Sequence, residues 1–323
     1  MNWLVTGGAG YIGAHVVRAL RAAGLSAVVI DDLSSGVRSF VPPEVPLIEA
    51  SLLDRDAVTG VFAEHSILGV IHVAGYKYAG ESVRRPLHTF EQNVTATGIL
   101  YQAAIAAEVR KLVFSSSAAV YGAPDVELVV ESTPKRPESP YGETKLIGEW
   151  MLADLSRAHP ELQHTSLRYF NVVGSGSDAV FDTSPYNLFP LVFRALRAGR
   201  APKIFGTDYP TPDGTNVRDY VHVSDIAAAH VAAAQRMMAG EQIEPAYNLG
   251  SGTGLSVAEI MDAMRRVTGI DLEPERAPRR PGDPPRIVAN GDLAARDLDW
   301  AMRFTLDEMV ESAWRAFQEA PAS

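Results

Sequence analysis

Short apolar runs separated by amphipathic stretches set the rhythm of the first half of this chain. Residues 3–6 (Trp-Leu-Val-Thr), 26–30, 46–50, 69–73, 112–117 and 165–169 read as strands buried on both faces. Helical periodicity runs from the first glycine cluster through Ala23 and then around 54–65, 87–107 and 141–158. This alternation predicts an α/β protein with a doubly wound parallel sheet of Rossmann type, whose ligand lies at the carboxyl ends of the strands. Those ends carry candidates in turn: the glycine loop, Asp31, Ala74-Gly75, the serines at 115–117 and Phe170-Asn171.

Beyond Asn171 the pattern changes. Residues 172–222 are richer in Gly, Pro, Asp and Tyr, with one good helix near 187–199, and read as a smaller cap. An alanine-rich helix over 223–238, N-capped by Ser224 or Asp225, brings the chain back to the first unit. The basic, proline-rich stretch 277–286 goes with the cap. A last helix spans about 306–318, followed by a frayed tail at 319–323. The expected division is therefore 1–171 plus about 223–250 for the Rossmann domain, and 172–222 plus about 251–323 for a discontinuous α/β cap. No internal repeat is visible.

The first strand runs into Gly7-Gly8-Ala9-Gly10-Tyr11-Ile12-Gly13 and then a helix. Glycines at 7, 10 and 13 allow a tight turn and a close backbone approach to a pyrophosphate at the helix N-terminus. Asp31 ends the second strand, close to the distance of about 20 residues expected for a carboxylate on the adenosine ribose. Asp31 and Asp32 have no arginine immediately beside them, which favours NAD over NADP. Arg38 is the nearest candidate for a 2′-phosphate.

Tyr141 and Lys145 sit four apart at a helix start and share one face, so the ammonium can lie beneath the phenol. A free phenol titrates near 10, and making it a base near pH 7 takes roughly 4 kcal/mol of preferential phenolate stabilisation. One cation rarely supplies that alone. By itself the pair is ordinary helix spacing; the strand ending in Ser117 and the glycine loop give it chemical meaning. Ser115 and Ser116 read more simply as the end of a strand.

Composition narrows the remaining classes. The chain has 323 residues, enough for a large core, and no cysteine, which excludes disulfides and thiolate catalysis. A net charge of -10 argues against broad binding to nucleic acid or anionic membranes. The eight histidines form no ligand-like cluster, so no metal site is expected, and His72 reads as a satisfied core residue. With no basic, apolar leader and no long apolar run, a soluble cytoplasmic protein is expected.

Several stretches taken together carry a resemblance: "VTGGAGYIG", "HVAGYKYAGES", "FSSSAAVYG", "SPYGETK", "RYFNVVG", "DYPTPDGTNVRDYVHVSDIA", "YNLGSG" and "APRRPGD". In this order, from residue 2 to about 310, they resemble the extended short-chain dehydrogenase/reductase family, and most of all its UDP-glucose 4-epimerases. The resemblance implies a tightly held NAD and a UDP-sugar oxidised at C4, turned over and reduced on its other face. Tyr141 would take and return the proton of the 4-hydroxyl. Lys145 would lower the phenol pKa and hold ribose hydroxyls, and Ser117 would hydrogen-bond at the same oxygen.

By the same resemblance the cofactor would touch Gly7, Gly10, Tyr11, Ile12, Gly13, Asp31, Asp32, Ser51, Leu52, Val73, Ala74, Gly75, Lys77, Gln92, Ser115, Tyr141, Lys145 and Phe170. Arg218 and Arg280 would grip the diphosphate and Asp283 the uridine ribose. Ser117, Tyr141, Asn171, Asn187, Leu188, Phe205 and Ile287 complete the implied substrate site. Read only as a residue, Arg218 could equally pair with a neighbouring carboxylate, and Arg279 is a solvated neighbour of Arg280. Family members commonly dimerise through the helices around 90–107 and 141–158, where alanines 103, 104, 106 and 107 would permit close approach.

The chain also departs from the family pattern. Ala119 replaces a threonine, Ser51 an aspartate that contacts adenine and Gln92 an asparagine near the cofactor, while the segment between Asn171 and Asn187 is short. Ile287 stands at the wall position that gates N-acetylated sugars and is intermediate in size. The expectation is a preference for UDP-glucose and UDP-galactose, with some activity on UDP-N-acetylhexosamines. Epimerases of UDP-glucuronate or UDP-pentoses share these features. A 4,6-dehydratase would need an acid where Ala118-Ala119 stand, and an NAD-sensing regulator would lack the tyrosine–lysine pair.

Overall fold

A computed structural model describes residues 1–271, 273–280 and 283–320. Six strands form in the first half of the chain: β1 (Asn2–Thr6), β2 (Ser26–Asp31), β3 (Leu47–Glu49), β4 (Ile67–His72), β5 (Lys111–Ser117) and β6 (Gln163–Tyr169). With a later strand, Ala246–Leu249, they make one parallel sheet in the order Ala246–Leu249, β6, β5, β4, β1, β2, β3. The order reverses at β1, where Thr6 lies level with Ile30 on one side and His72 on the other. The Gly7 turn, Asp31 and Val73 therefore emerge together at the switch point, where such sheets bind ligands.

Period-two alternation divides the strand residues between two faces. Trp3, Val5, Val29, Ile71, Val113 and Leu167 pack under α1 (Tyr11–Ala22) and α8 (Val223–Met238). Leu4, Val28, Val70, Leu112 and Phe114 pack under α2 (Arg55–Glu64), α5 (Ala96–Ala106) and α6 (Pro140–Ala158). A separate core joins α7 (Leu188–Arg197), α9 (Val257–Thr268) and α11 (Leu306–Glu319) through Phe189, Phe193, Met261, Met264, Val310 and Phe317. Short strands stitch this smaller unit: Lys203–Phe205 pairs with Glu275–Ala277, and Val217–Arg218 lies between Leu255–Ser256 and Arg286–Ile287.

Three local differences from expectation have physical reasons. The helix expected around 87–107 is broken into α4 (Pro86–Phe90), a π-helical turn at Glu91–Thr95 and α5, and a further short helix, α3 (Ala79–Arg84), precedes it. Pro86 suits the start of a new helix, and the π turn aims Asn93 inward to bond Tyr76 and Thr144. Helix α8 is capped by His222, whose Nδ1 accepts the Ser224 amide, because Asp225 is buried and bonded to Arg303. Helix α10 (Asp292–Leu298) and Trp300, expected with the cap, pack into the core shared by α1 and α8. Residues 281 and 282 of the basic stretch and 321–323 of the tail lie outside the described residues.

Candidate active site

One cavity of about 750 Å³ lies over the carboxyl ends of the sheet, between the two units. Its floor is the glycine loop. Gly7 turns with φ +69°, and a Cβ there would come 2.7 Å from the Ala74 nitrogen; a Cβ at Gly13 would come 2.1 Å from the Gly7 carbonyl oxygen. Only glycine permits this approach of α1 to β1 and β4. No side chain caps α1 and no acid occupies its first turn, so its N-terminus is free to face an anion in the cavity.

The Asp31 carboxylate accepts hydrogen bonds from the Ala9 and Leu33 amides, both at 2.9 Å. Burial pushes its pKa up, against the pull of those amides. Asp32 instead accepts from Ser34. Ser51, Leu52, Val73, Ala74, Gly75, Lys77 and Gln92 also line the cavity, with Tyr11, Ile12, Phe170 and Ser34. A glycine cradle, an uncapped helix start and a rim carboxylate together fit a dinucleotide. Arg38, the nearest candidate for a 2′-phosphate, pairs with Glu49 and does not line the cavity.

Tyr141 enters the cavity from the first turn of α6, where Ser139 accepts the Gly142 amide and Pro140 starts the helix. One turn on, the buried Lys145 ammonium donates to the Ser115 carbonyl at 2.8 Å and stands 5.9 Å from the Tyr141 ring centroid. Burial alone pulls Lys145 down to about 8. Burial pushes the Tyr141 phenol up, opposed by the Ser117 hydroxyl rather than by the lysine. Desolvation thus outweighs the opposing hydrogen bond from Ser117.

A buried polar lattice fixes α6 behind these groups. Arg168 on β6 grips Glu149 of α6 in two-pronged fashion, at 2.8 and 2.7 Å. Ser116 donates to the same carboxylate at 2.6 Å, and Arg168 also donates to the Tyr121 hydroxyl. The hydroxyl of Ser115, a residue expected at the cofactor, is buried against His230 Nε2 at 2.8 Å, while its carbonyl holds Lys145. His72 is a core residue as expected, bonded between Thr6 and Thr97.

At the other end of the cavity Arg218 pairs with Asp283, which also accepts from Asn216 at 2.9 Å. The Arg280 guanidinium lies 4.1 Å over the Phe205 ring. Arg279 instead pairs with Asp208 and stacks on Tyr209. Asn171 donates to the Asp219 carbonyl and Asn187 to Asp182, and both line the cavity with Leu188. Ile287, like Phe170, packs against the cluster of Val120, Tyr121, Val129 and Leu146, and of the two only Phe170 lines the cavity. Lining residues that sequence reasoning missed include Tyr78, Asp182, Tyr186, Lys203 and Asn216. Tyr78 adjoins the expected site residue Lys77 and Asn216 lies two residues from Arg218, which was the available signal.

Residues 3–250 match the NAD dependent epimerase/dehydratase family. The chain belongs to that family. It is 43% identical over 330 residues to the UDP-glucose 4-epimerase of Bacillus subtilis (strain 168), covering 98% of this chain and 96% of that protein. A crystal structure of a UDP-glucose 4-epimerase superposes with a TM-score of 0.95 at 39% identity, covering 99% of this chain and 98% of the other. The Stenotrophomonas maltophila enzyme, solved with NAD and formylated UDP-arabinopyranose, has a TM-score of 0.93 at 38% identity, with 98% of each chain covered. Among the described residues no group of acidic or histidine side chains could hold a metal. Among the described residues no helix is long and apolar enough to cross a membrane.

Proposed function

We propose that this protein is an NAD-dependent 4-epimerase that interconverts UDP-glucose and UDP-galactose. The observation that carries the reading is one cavity holding Tyr141, Lys145 and Ser117 beside a dinucleotide cradle, with Arg218, Arg280 and Asp283 at its other end. Gly7, Gly10, Gly13, Asp31 and Asp32 would hold NAD, which when bound supplies a reversible acceptor for the C4 hydrogen and a positive charge beside the phenol.

The chain's own groups do the rest. Tyr141 takes the proton of the 4-hydroxyl and later returns it to the new one, while Ser117 hydrogen-bonds the same oxygen. Lys145, held by the Ser115 carbonyl, keeps its charge beside the phenol. Arg218 and Arg280 anchor the diphosphate, so binding energy far from the reacting carbon lets the sugar be held loosely enough to turn. Ala118 and Ala119 form a tight turn with no acid, which disfavours elimination of water.

Two finer points belong to the same reading. Val83, Leu87 and Trp150 expose large apolar surface on α3, α4 and α6, with Trp150 57% and Leu87 83% exposed. They support a homodimer through this side of the protein. Ala104 faces the core, so Ala106 and Ala107 are the open alanines of that helix. A cytoplasmic location is part of the same reading. Incubating the purified protein with UDP-galactose, UDP-N-acetylgalactosamine and UDP-galacturonate, and separating the products by chromatography, tests the assignment. Conversion of UDP-galactose to UDP-glucose is expected to be fastest; faster turnover of either other sugar would reassign the substrate.

A further inference from the structure

Two tyrosines from opposite walls meet at the cavity. Tyr78 follows β4 and sits at the N-cap of α3, and Tyr186 comes from the loop that leads into α7 of the smaller unit. Their ring centroids are 5.1 Å apart with planes at 72°, an edge-to-face contact. Both rings line the cavity, yet neither is a core residue: Tyr78 is half-buried and Tyr186 is 54% exposed.

The backbones behind these rings are tied down. Asn93 brackets Tyr76, accepting its amide at 2.6 Å and donating to its carbonyl at 3.0 Å, and also donates to Thr144 beside Lys145. Ser82, one turn into α3, accepts the Tyr141 amide at 3.1 Å. Tyr78 is thereby registered on the catalytic end of the cavity, at Tyr141, and not on the end of Arg218 and Arg280. Across the gap, Ser184 accepts the amides of Tyr186 and Asn187, and Asp182 holds the Asn187 side chain. The contact between Tyr78 and Tyr186 is made by side chains alone.

We propose that Tyr78 and Tyr186 form a clasp over the hexose that retains the oxidised sugar while it turns. The inference rests on the 4-epimerase reading. A sugar that must present both faces to one acceptor cannot be locked by directional hydrogen bonds matched to a single face. Aromatic rings offer non-directional contact to the C–H groups of either face, and a pair of them closes the mouth. One edge-to-face contact is also weak enough to part when substrate enters and product leaves. If the clasp fails, the 4-keto sugar escapes with the two electrons of its C4–H bond left on the enzyme's cofactor and the hydroxyl proton left on Tyr141. One ketone in solution then corresponds to one site stalled in its reduced form.

The test uses the full chain with UDP-galactose and hydroxylamine, which traps free ketone. Tyr186→Ala and Tyr78→Leu are expected to raise trapped ketone per epimerisation roughly tenfold, the scale of one aromatic contact. Tyr186→Phe, which keeps the ring, is expected to behave as wild type, and all three should bind UDP with unchanged affinity. Unchanged ketone release from both ring-removing variants would overturn the clasp. So would a loss of UDP affinity in step with activity, which would mark the pair as structural support. Two positions are used so that one misfolded variant does not decide the result. Absence of epimerisation by the wild type would sink the enzymatic reading itself, whereas normal epimerisation without a leak from folded variants sinks only the clasp.

Discussion

At the scale of single residues, the site is a balance between burial and charge. Desolvation lifts the Tyr141 phenol and drops Lys145 to about 8, so neither group is set for proton transfer by its immediate neighbours alone. Tyr141→Phe should lower kcat by about 10³-fold, within the range of lost acid–base catalysis, while UDP affinity measured by calorimetry stays the same. Lys145→Arg should fail to restore activity, because a planar guanidinium does not reproduce a single bond to the Ser115 carbonyl in a buried slot. Tyr141, Ser117 and Lys145 were legible in the sequence because helix spacing and strand ends are local. The fate of Ser115 was not, since its partner His230 lies on a distant helix and no local signal announces the pairing.

Among elements, the strand–helix alternation was legible throughout because parallel strands buried on both faces are apolar without interruption. What escaped were breaks that serve a tertiary contact: the π turn that turns Asn93 inward, and the His222 cap imposed by Arg303 taking Asp225. The Glu149–Arg168 pair belongs to the same class, since nothing local links position 149 with 168. It joins α6 to β6, and through Ser116 to β5, so the helix that carries Tyr141 is held by a lattice rather than by its own turn. Arg168→Leu leaves Glu149 buried and uncompensated and should cost about 3 kcal/mol of stability by denaturant unfolding. The accompanying fall in activity should exceed the change in UDP affinity, since Arg218 and Arg280, proposed to hold the diphosphate, lie outside those elements.

For the whole molecule, the histidines give a pH signature. Burial holds His15, His222 and His230 at about 4, well below the usual imidazole value of 6.5. Between those limits the unfolded chain binds protons that the native protein does not, so stability falls as pH drops from about 6.5 towards 4. Thermal melts across that window should show a steady loss, and His230→Gln should flatten it. The apolar side of α3, α4 and α6 yields a second expectation: sedimentation should give a dimer that Trp150→Glu converts to monomer. Position along the chain also could not reveal that Ile287 and Phe170 share one apolar cluster with Tyr121 and Val129.

The central claim is that C4 loses and regains the same hydrogen within one site. UDP-galactose carrying deuterium at C4 tests it most directly when turned over in ordinary water and followed by mass spectrometry. The account predicts UDP-glucose that keeps the deuterium at C4. Loss of the label to solvent would contradict it.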